Sequence, residues 1–315
     1  MILVTGATGF VGRRLTRRLI GESGLKVRVL LRPGGDTTSL PRSTPMHVVA
    51  AGLDDLDALR TAMDGVHTIY HLVGTDTRGR HARLQDVDLA GTRNLLTAAR
   101  DARVGRIIYL SRVGADRGSA FPILRTKGEI EDLIRRSGLA YTIFRSSVLF
   151  GAGDRFSEHI AMLARVFPFF SVPGDGEMTL QPLWVEDMVT CLMLALEDLD
   201  LIDATITLGG PEVLSYRRMV MRVMYASRSQ RTIIGLPLLF HRIGAWFFDG
   251  LFARWPYTEH EVELLSSNQT AELGMIERKF GFRPTSFDLH VLQTYLRNRW
   301  WALDLLTFIF STRWD

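Results

Sequence analysis

The first twelve residues constrain the fold of this chain more than any other stretch. Residues 1–4 are apolar and predict a short buried strand, glycines follow at positions 6, 9 and 12, and residues 13–20 predict a helix. Gly6 permits a tight turn, Gly9 lets backbone N–H groups approach a pyrophosphate, and Gly12 allows close helix packing. The order of strand, glycines and helix therefore predicts a dinucleotide site, with an ordinary strand-to-helix turn as the alternative.

Strands and helices then alternate through residues 1–111. Further strands are predicted at 26–32, 46–50, 68–74 and 106–111, and helices at 54–63 and 86–102. Such alternation predicts an α/β fold, a doubly wound parallel sheet (Rossmann fold) with crossover helices, followed by a smaller, mostly helical carboxyl-terminal lobe. We place the dinucleotide-binding core at residues 1–153 and the lobe at residues 154–315, with one or two strands returning to the core sheet.

The residue after the second strand indicates which dinucleotide is bound. Arg32 lies where the ribose is expected, and no Asp or Glu occurs between Lys26 and Gly35. A guanidinium suits a 2′-phosphate, whereas an acidic residue would accept a hydrogen bond from a 2′-hydroxyl. NADP(H) is therefore favoured, NAD(H) stays possible, and a solvated loop arginine is the alternative for Arg32. Arg13 and Arg14 could join this pocket, but an exposed helix face predicts that they are solvated.

Composition and the motifs that are missing exclude several classes of protein. The 315 residues carry a net charge of +4 and one cysteine, Cys191, which excludes an internal disulfide and favours a reducing compartment. We find no signal sequence before the first strand, and no P-loop, nucleophile elbow or nucleic-acid-binding pattern. The pair Glu186 and Asp187 lacks a histidine at metal-ligand spacing and predicts a helix start, so no metal site is expected.

Several motifs resemble those of one enzyme superfamily. They are T-G-A-T-G-F-V-G at residues 5–12, H-L-V-G at 71–74, I-I-Y-L-S at 107–111, R-T-K-G-E-I-E at 125–131 and T-I-F-R-S-S-V-L-F-G-A-G-D at 142–154. The chain resembles an atypical short-chain dehydrogenase/reductase, in the NAD-dependent epimerase/dehydratase-like group. It is most similar to proteins like the nucleotide-binding accessory subunit of respiratory complex I, through G-D-R-F at 153–156, Q-P-L-W-V-E-D-M at 181–188 and the segment 279–296. The resemblance and the glycine motif together imply the following cofactor-binding residues: Gly6, Thr8, Gly9, Phe10, Val11, Gly12, Arg32, Val73, Gly74, Lys127 and Val148.

The catalytic signature of that superfamily is incomplete. Active members use a tyrosine four residues before a lysine that contacts the nicotinamide ribose and lowers the tyrosine pKa. Lys127 matches the lysine, but Ile123 occupies the tyrosine position. Ser111 matches the region of the substrate-orienting serine, and its alternative is a serine hydrogen-bonded to backbone. Tyr109 is expected inside the sheet. Lys127 and Ser111 are thus the only catalytic candidates.

Two further positions depart from the family pattern. A Gly-Asp pair that usually holds the adenine amino group reads Ala51-Gly52, although Asp54 could substitute for it. The helix that commonly begins V-N-x-x-G-T has Asp88 in place of the asparagine. We expect cofactor binding to survive these changes and turnover by the ordinary mechanism to be lost.

The lobe is predicted to contain helices at 156–166, from 185 to 196 and at 215–225, a hairpin turn at 172–177 and a strand at 204–210. Residues 233–256 are rich in Ile, Leu, Phe and Trp, and their charges and glycines disfavour a transmembrane helix. They predict an interfacial helix, or equally a helix buried against the lobe or a partner. Residues 297–315 join tryptophans and arginines to an aliphatic end in the same way. We therefore expect peripheral contact with a membrane or membrane complex on its cytoplasmic or matrix-like side.

Two functions fit these observations. The first is an NADP(H)-binding protein that is catalytically weak or silent and serves as a structural, assembly or redox-sensing component near a membrane. The second is an NADPH-dependent reductase or isomerase of an apolar, membrane-derived substrate. A sugar-nucleotide epimerase or dehydratase needs the missing tyrosine most and is disfavoured.

Overall fold

Seven parallel strands form the central sheet of the computed structural model, which describes residues 1–35, 38, 40, 46–75, 83–251, 258–265, 267–296 and 301–310. The strands are β1 (Ile2–Thr5), β2 (Val27–Leu31), β3 (His47–Ala50), β4 (Thr68–His71), β5 (Arg106–Arg112), β6 (Ala140–Ser146) and β11 (Ala204–Leu208). Their order is β11-β6-β5-β4-β1-β2-β3. The chain leaves β1 toward β2 on one side and returns as β4 on the other, and this reversal opens a crevice at the carboxyl ends of the strands.

Helices cover both faces of this sheet. They are α1 (Gly12–Ser23), α2 (Leu56–Ala62), α3 (Gly91–Asp101), α4 (Pro122–Arg135) and α6 (Val185–Glu197). Strand β1 is apolar on both faces for this reason: Ile2 and Val4 pack on the α1 and α6 side, and Leu3 packs on the α2 and α3 side. The predicted Rossmann fold is thereby confirmed. The helix predicted at 86–102 differs in detail, since a π-helical segment (Leu84–Ala90) precedes α3.

The lobe contributes the remaining elements. Its strands are β7 (Leu149–Phe150), β8 (Phe169–Pro173), β9 (Thr179–Leu180), β10 (Leu183–Trp184), β12 (Leu214–Ser215) and β13 (Thr232–Leu236). Its helices are α5 (Ser157–Val166), α7 (Tyr216–Ala226), α8 (Leu238–Leu251), α9 (Glu259–Leu264), α10 (Met275–Phe280), α11 (Leu289–Leu296) and α12 (Trp301–Phe310). The predicted strand at 204–210 returns to the core as the edge strand β11, beside β6.

The hairpin predicted at 172–177 is wrong. Residues 174 and 175 do form a turn, but the strands on either side of it do not pair with each other. Strand β8 pairs in parallel with β13, and β9 pairs antiparallel with β12. The turn glycines are a local signal, whereas both strand partners lie more than thirty residues away along the chain.

The helix predicted over 233–256 is partly wrong. Residues 232–236 form the strand β13, and the helix α8 begins only at Leu238, after Pro237. Residues 252–256 of this segment, and residues 297–300 and 311–315 of the terminal segment, lie outside the described residues. Between those last two ranges, α12 packs against α5 and leaves Leu303, Leu306 and Phe310 exposed.

Candidate functional site

The glycine-rich turn leaves no room for side chains at two of its positions. Gly6 has a φ of +72°, and a Cβ added there would lie 2.7 Å from the backbone of Leu72 at the end of β4. A Cβ at Gly12 would overlap the carbonyl oxygen of Gly6 and lie 2.8 Å from the Cα of Ala7. Helix α1 begins directly after the turn, so the positive end of its dipole lies there, while the N–H groups of Arg13 and Arg14 donate to the backbone carbonyls of Gly9 and Val11. These features fit a dinucleotide pyrophosphate.

A cleft of about 620 Å³ opens above this turn, at the carboxyl ends of the strands. It is lined by ten of the eleven predicted cofactor-binding residues: Gly6, Thr8, Gly9, Phe10, Val11, Gly12, Val73, Gly74, Lys127 and Val148. The second catalytic candidate, Ser111, also lines it. The structure therefore brings together residues from β1, α1, β4, β5, α4 and β6, as expected where the strand order reverses.

Arg32 is the exception among the predicted cofactor residues. It follows β2 at the same edge of the sheet but is exposed and lies outside the cleft walls. Gly52 follows β3 nearby, and the carboxylate of Asp54 folds over its Cα, in the space that a Cβ of Gly52 would occupy. Asp54 is thus placed beside the position where the family pattern has an aspartate.

Arg14 is not a solvated arginine, and that expectation is wrong. Its Nε donates to Glu186 at 2.8 Å, its Nη1 donates to the carbonyl of Phe10 at 2.9 Å, and its Nη2 donates to Ala152. Its guanidinium also lies 4.7 Å from the centre of the Phe10 ring. Arg14 therefore joins the glycine-rich turn to the start of α6. Arg13 lines the cleft and shares the carbonyl of Ala152.

The position of the missing tyrosine is apolar and closed. Ile123 is 2 % exposed and belongs to a cluster with Leu124 of α4 and Leu264 of α9. Lys127, one turn later, lines the cleft, and its Nζ lies 5.4 Å from the centre of the Tyr109 ring. Tyr109 is fully buried within the sheet, as predicted. Burial raises its pKa to about 12, although the positive charge of Lys127 acts to lower it. Tyr109 thus lies next to the lysine but does not line the cleft.

The Ser111 hydroxyl belongs to a buried ion-pair network. The alternative predicted from the sequence was a hydrogen bond from this hydroxyl to the backbone, and the structure shows a carboxylate partner in its place. Its hydroxyl donates to Glu131 Oε1 at 2.6 Å. The Glu131 carboxylate is fully buried and accepts from Arg145 through both Nε and Nη2 and from Arg135. Two guanidinium groups and one hydroxyl therefore stabilise its charge, as a buried carboxylate requires.

Asp88 holds the chain segment that follows Gly74 at the edge of the cleft. Its carboxylate accepts hydrogen bonds from the Thr75 backbone N–H, at 3.0 and 3.1 Å, and from the Thr75 hydroxyl. Thr75 directly follows Gly74, so the aspartate in the family's asparagine position fixes the chain where β4 reaches the cleft. Below it, His71 bonds to Thr5 at 2.8 Å and to Thr92 at 2.9 Å, and burial lowers its pKa to about 3.

Sequence reasoning missed the lobe side of the cleft. The additional polar residues that line it include Arg112, Arg155, His159, Glu261 and Gln269. Burial raises the pKa of Glu261 to about 7, opposed by its bond to the Thr258 backbone and by Arg155 and Arg112. Thr258 and Glu261 form a capping box at the start of α9, since the Thr258 N–H donates to Glu261 and the Glu261 N–H donates to Thr258. That T-x-x-E spacing was the available signal for this helix.

Comparison with known proteins identifies the core. The NAD(P)H-binding family model matches residues 6–157, the stretch that contains the glycine-rich turn and most of the cleft. This match shows similarity to the NAD(P)H-binding family over residues 6–157, slightly less than half of the chain.

Named relatives extend beyond the NAD(P)H-binding half. The chain is 28 % identical over 312 residues to mouse NADH dehydrogenase (ubiquinone) 1 alpha subcomplex subunit 9, covering 94 % of this chain and 80 % of that one. The Arabidopsis thaliana protein of the same name is 28 % identical over 231 residues, covering 70 % and 56 %. The photosystem II assembly factor Ycf39 of Cyanophora paradoxa is 32 % identical over 144 residues, covering 46 % and 44 %. The similarity to the complex I accessory subunit is thereby confirmed.

Solved structures agree on the fold. The NADPH-dependent quinone oxidoreductase QOR2 of Escherichia coli, in complex with NADPH, superposes with a TM-score of 0.74 at 20 % identity, covering 94 % of this chain and 100 % of that one. At this identity the likeness establishes the Rossmann-type fold and no more.

Proposed function

We propose that this chain binds NADP(H) and serves as a structural, assembly or redox-sensing component at a membrane or membrane complex, with little or no turnover by the tyrosine-lysine mechanism. The observation that carries the proposal is the apolar cluster of Ile123, Leu124 and Leu264, which fills the place of the proton-relaying tyrosine. An aliphatic side chain exchanges no proton, whatever its distance from a substrate.

The cofactor site supports the binding half of the proposal. A bound NADP(H) would supply hydride-transfer chemistry at its nicotinamide. Gly6, Gly9 and Gly12 would admit the pyrophosphate, Lys127 would contact the nicotinamide ribose, and Arg32 would pair with the 2′-phosphate from outside the cleft. Binding to the native state alone stabilises it by about 2.7 kcal/mol when the cofactor is at one hundred times its dissociation constant. Assembly could thus respond to cofactor supply.

The membrane half of the proposal rests on α8. Six of its large apolar side chains are between 54 % and 67 % exposed: Leu239, Phe240, Ile243, Trp246, Phe247 and Leu251. At 100° per residue these positions fall on one face of the helix, whereas His241 and Ala245 on the opposite face are buried. An apolar face turned outward is typical of an interfacial helix, and among the described residues no helix is both long and apolar enough to cross a bilayer. The relatives that are named as a respiratory-complex subunit and as an assembly factor point the same way.

The alternative function, an NADPH-dependent reductase or isomerase, is favoured by one observation. The cleft is open beside Lys127 and Ser111 and extends into the lobe, where His159 and Glu261 line it. Its volume of about 620 Å³ falls within the range of about 300–1,000 Å³ of small-molecule sites. A substrate could therefore lie next to a bound nicotinamide.

One experiment separates the two functions. The chain is purified from its own membranes, the copurifying nucleotide and proteins are identified by mass spectrometry, and NADPH oxidation is followed with lipid and quinone extracts. We expect NADP(H) and membrane-complex proteins, with no oxidation above that of the extract alone. Steady oxidation that Lys127→Ala abolishes, while the exposed-helix control Arg17→Ala retains it, would overturn the silent-binder proposal.

A further inference from the structure

A second hollow lies beside α8 and shares a wall with the cleft. Its volume is about 280 Å³, and it is lined by α5, β8, the end of β13 and α8. The shared wall consists of Leu163 of α5 and Phe170 of β8, each of which lines both hollows. Among the described residues these two side chains are the ones common to both linings, so the surface hollow and the cofactor cleft adjoin at Leu163 and Phe170.

The lining of this hollow is almost entirely apolar. It contains five phenylalanines and two leucines, and its polar side chains are Ser171 and His241: Leu163, Phe167, Phe169, Phe170, Ser171, Leu236, Phe240, His241, Gly244, Ala245 and Phe248. Burial lowers the pKa of His241, which favours its neutral form. A volume near the lower limit of small-molecule sites suits a slender chain better than a ring system.

The outer rim of the hollow is part of the exposed apolar surface. Phe169 is 50 % exposed and Phe240 is 60 % exposed, and both line the hollow. The exposed face of α8 therefore continues into the hollow through Phe240. The inner side is different, because His159 lies one turn before Leu163 on the same face of α5 and lines the cleft. The apolar hollow and the polar side chains of the cleft thus lie on either side of Leu163 and Phe170.

We propose that the two adjoining hollows together form a binding site for an acyl chain, with the chain between α8 and β8 and its polar head group in the cleft beside His159. Such a ligand would be a single-chain amphiphile such as a fatty acid. It enters from the membrane-facing side of α8, past Phe240, and reaches the cleft between Leu163 and Phe170. The proposal depends on the membrane contact proposed for α8 in one respect, because the membrane would be the source of the ligand. Binding itself needs no bilayer.

The test uses the purified full chain without membranes. A fluorescent long-chain fatty acid, cis-parinaric acid, is titrated, and hexanoic, decanoic and octadecanoic acids compete for its site. We expect affinity to rise with chain length, because each added methylene is buried in an apolar wall. Equal competition by all three acids, or no binding of the probe, would overturn the proposal.

A variant whose side chain fills the hollow tests the proposed site most directly. Gly244 lines it, and a Cβ added at Gly244 meets no atom within 4 Å, so Gly244→Leu places a side chain in the hollow without backbone clash. The matched control is Gly21→Leu on the exposed side of α1, where a Cβ also meets nothing. Both changes raise helix propensity and should fold.

Gly244→Leu should weaken the long-chain probe by about tenfold or more and leave NADPH affinity unchanged, while Gly21→Leu changes neither. Unchanged probe affinity in Gly244→Leu would contradict the site. Sedimentation with anionic vesicles is measured separately, so that a chain which binds the probe but not vesicles would overturn the membrane proposal alone.

Discussion

The hydroxyl of Ser111 donates a 2.6 Å hydrogen bond to the buried carboxylate of Glu131. This single contact explains why a serine in the position of a substrate-orienting residue need not act on a substrate. The carboxylate also accepts from Arg135 and Arg145, so the serine belongs to a network that ties β5 to α4 and β6.

We expect Ser111→Ala to lower the free energy of unfolding by about 1.5–3 kcal/mol, the usual range for a hydrogen bond to a charged group. Urea unfolding of the variant measures this loss. NADPH affinity should change by less than about threefold, because the hydroxyl donates its proton to Glu131 and so does not donate to a ligand in the cleft. A large loss of affinity with unchanged stability would show that Ser111 contacts the ligand.

The two glycines of the turn should respond differently to alanine. A Cβ at Gly12 overlaps the Gly6 carbonyl oxygen, so Gly12→Ala should destabilise the fold by about 1–3 kcal/mol. A Cβ at Gly9 lies 3.2 Å from that oxygen, so Gly9→Ala should fold and lose NADPH affinity by about tenfold or more, since the methyl group occupies the path of the pyrophosphate. Thermal unfolding and fluorescence titration separate the two effects, with Gly21→Ala as control. Equal NADPH affinity in Gly9→Ala and the wild type would contradict the phosphate site.

Arg32 should set the preference between the two dinucleotides. Arg32→Ala removes the guanidinium that would pair with the 2′-phosphate, so NADPH affinity should fall by about tenfold and NADH affinity should stay constant. Arg17→Ala, an exposed arginine of α1, is the control. If the affinities for NADPH and NADH fall together, or if neither falls, Arg32 does not recognise the 2′-phosphate.

The buried imidazole of His71 should make the protein sensitive to acid. Burial and the charge of Lys127 lower its pKa to about 3. Between about pH 6.5 and 3 the imidazole is therefore protonated in the unfolded chain and neutral in the folded chain. Stability should therefore fall as the pH drops from about 6.5 toward 3, by up to about 1.4 kcal/mol per pH unit from this residue. Denaturant unfolding of the wild type and of His71→Gln over this range compares the slopes. A variant with the same slope as the wild type would exclude His71 as the cause.

The exposed face of α8 should determine membrane contact. Trp246 and Phe247 are 67 % and 55 % exposed, so replacing both with serine should reduce sedimentation with anionic vesicles by about tenfold or more. Leu199→Ser removes an apolar residue that is 74 % exposed on a different surface and should have no effect. Unchanged sedimentation of the α8 variant would leave a protein partner as the occupant of this face.

The sequence predicted the sheet well because its signals are local. Buried runs such as residues 2–5 and 106–112 are short, apolar and bounded by turns, and the glycine spacing identified the helix that follows β1. The helix predicted at 54–63 forms as α2, and Asp55 caps its start by accepting from the Ala58 N–H.

The lobe and the far side of the cleft were harder to predict because they depend on distant pairings. The apolar run before Pro237 reads equally well as a helix or a strand, and only its pairing with β8 decides that it is β13. Arg14 was expected in solvent because the glycine-rich turn gives no sign of Glu186, which is 172 positions away. Glu261 and Leu264 enter the cleft through a short helix whose start is marked by the T-x-x-E spacing but whose packing against the cleft no local pattern specifies.

Calorimetric titration of the nucleotide-free chain with NADPH and with NADH measures cofactor binding and cofactor preference together. We expect one site per chain, tighter binding of NADPH, and loss of that preference in Arg32→Ala. No heat of binding with either dinucleotide, from a chain that is folded by circular dichroism, would contradict this expectation.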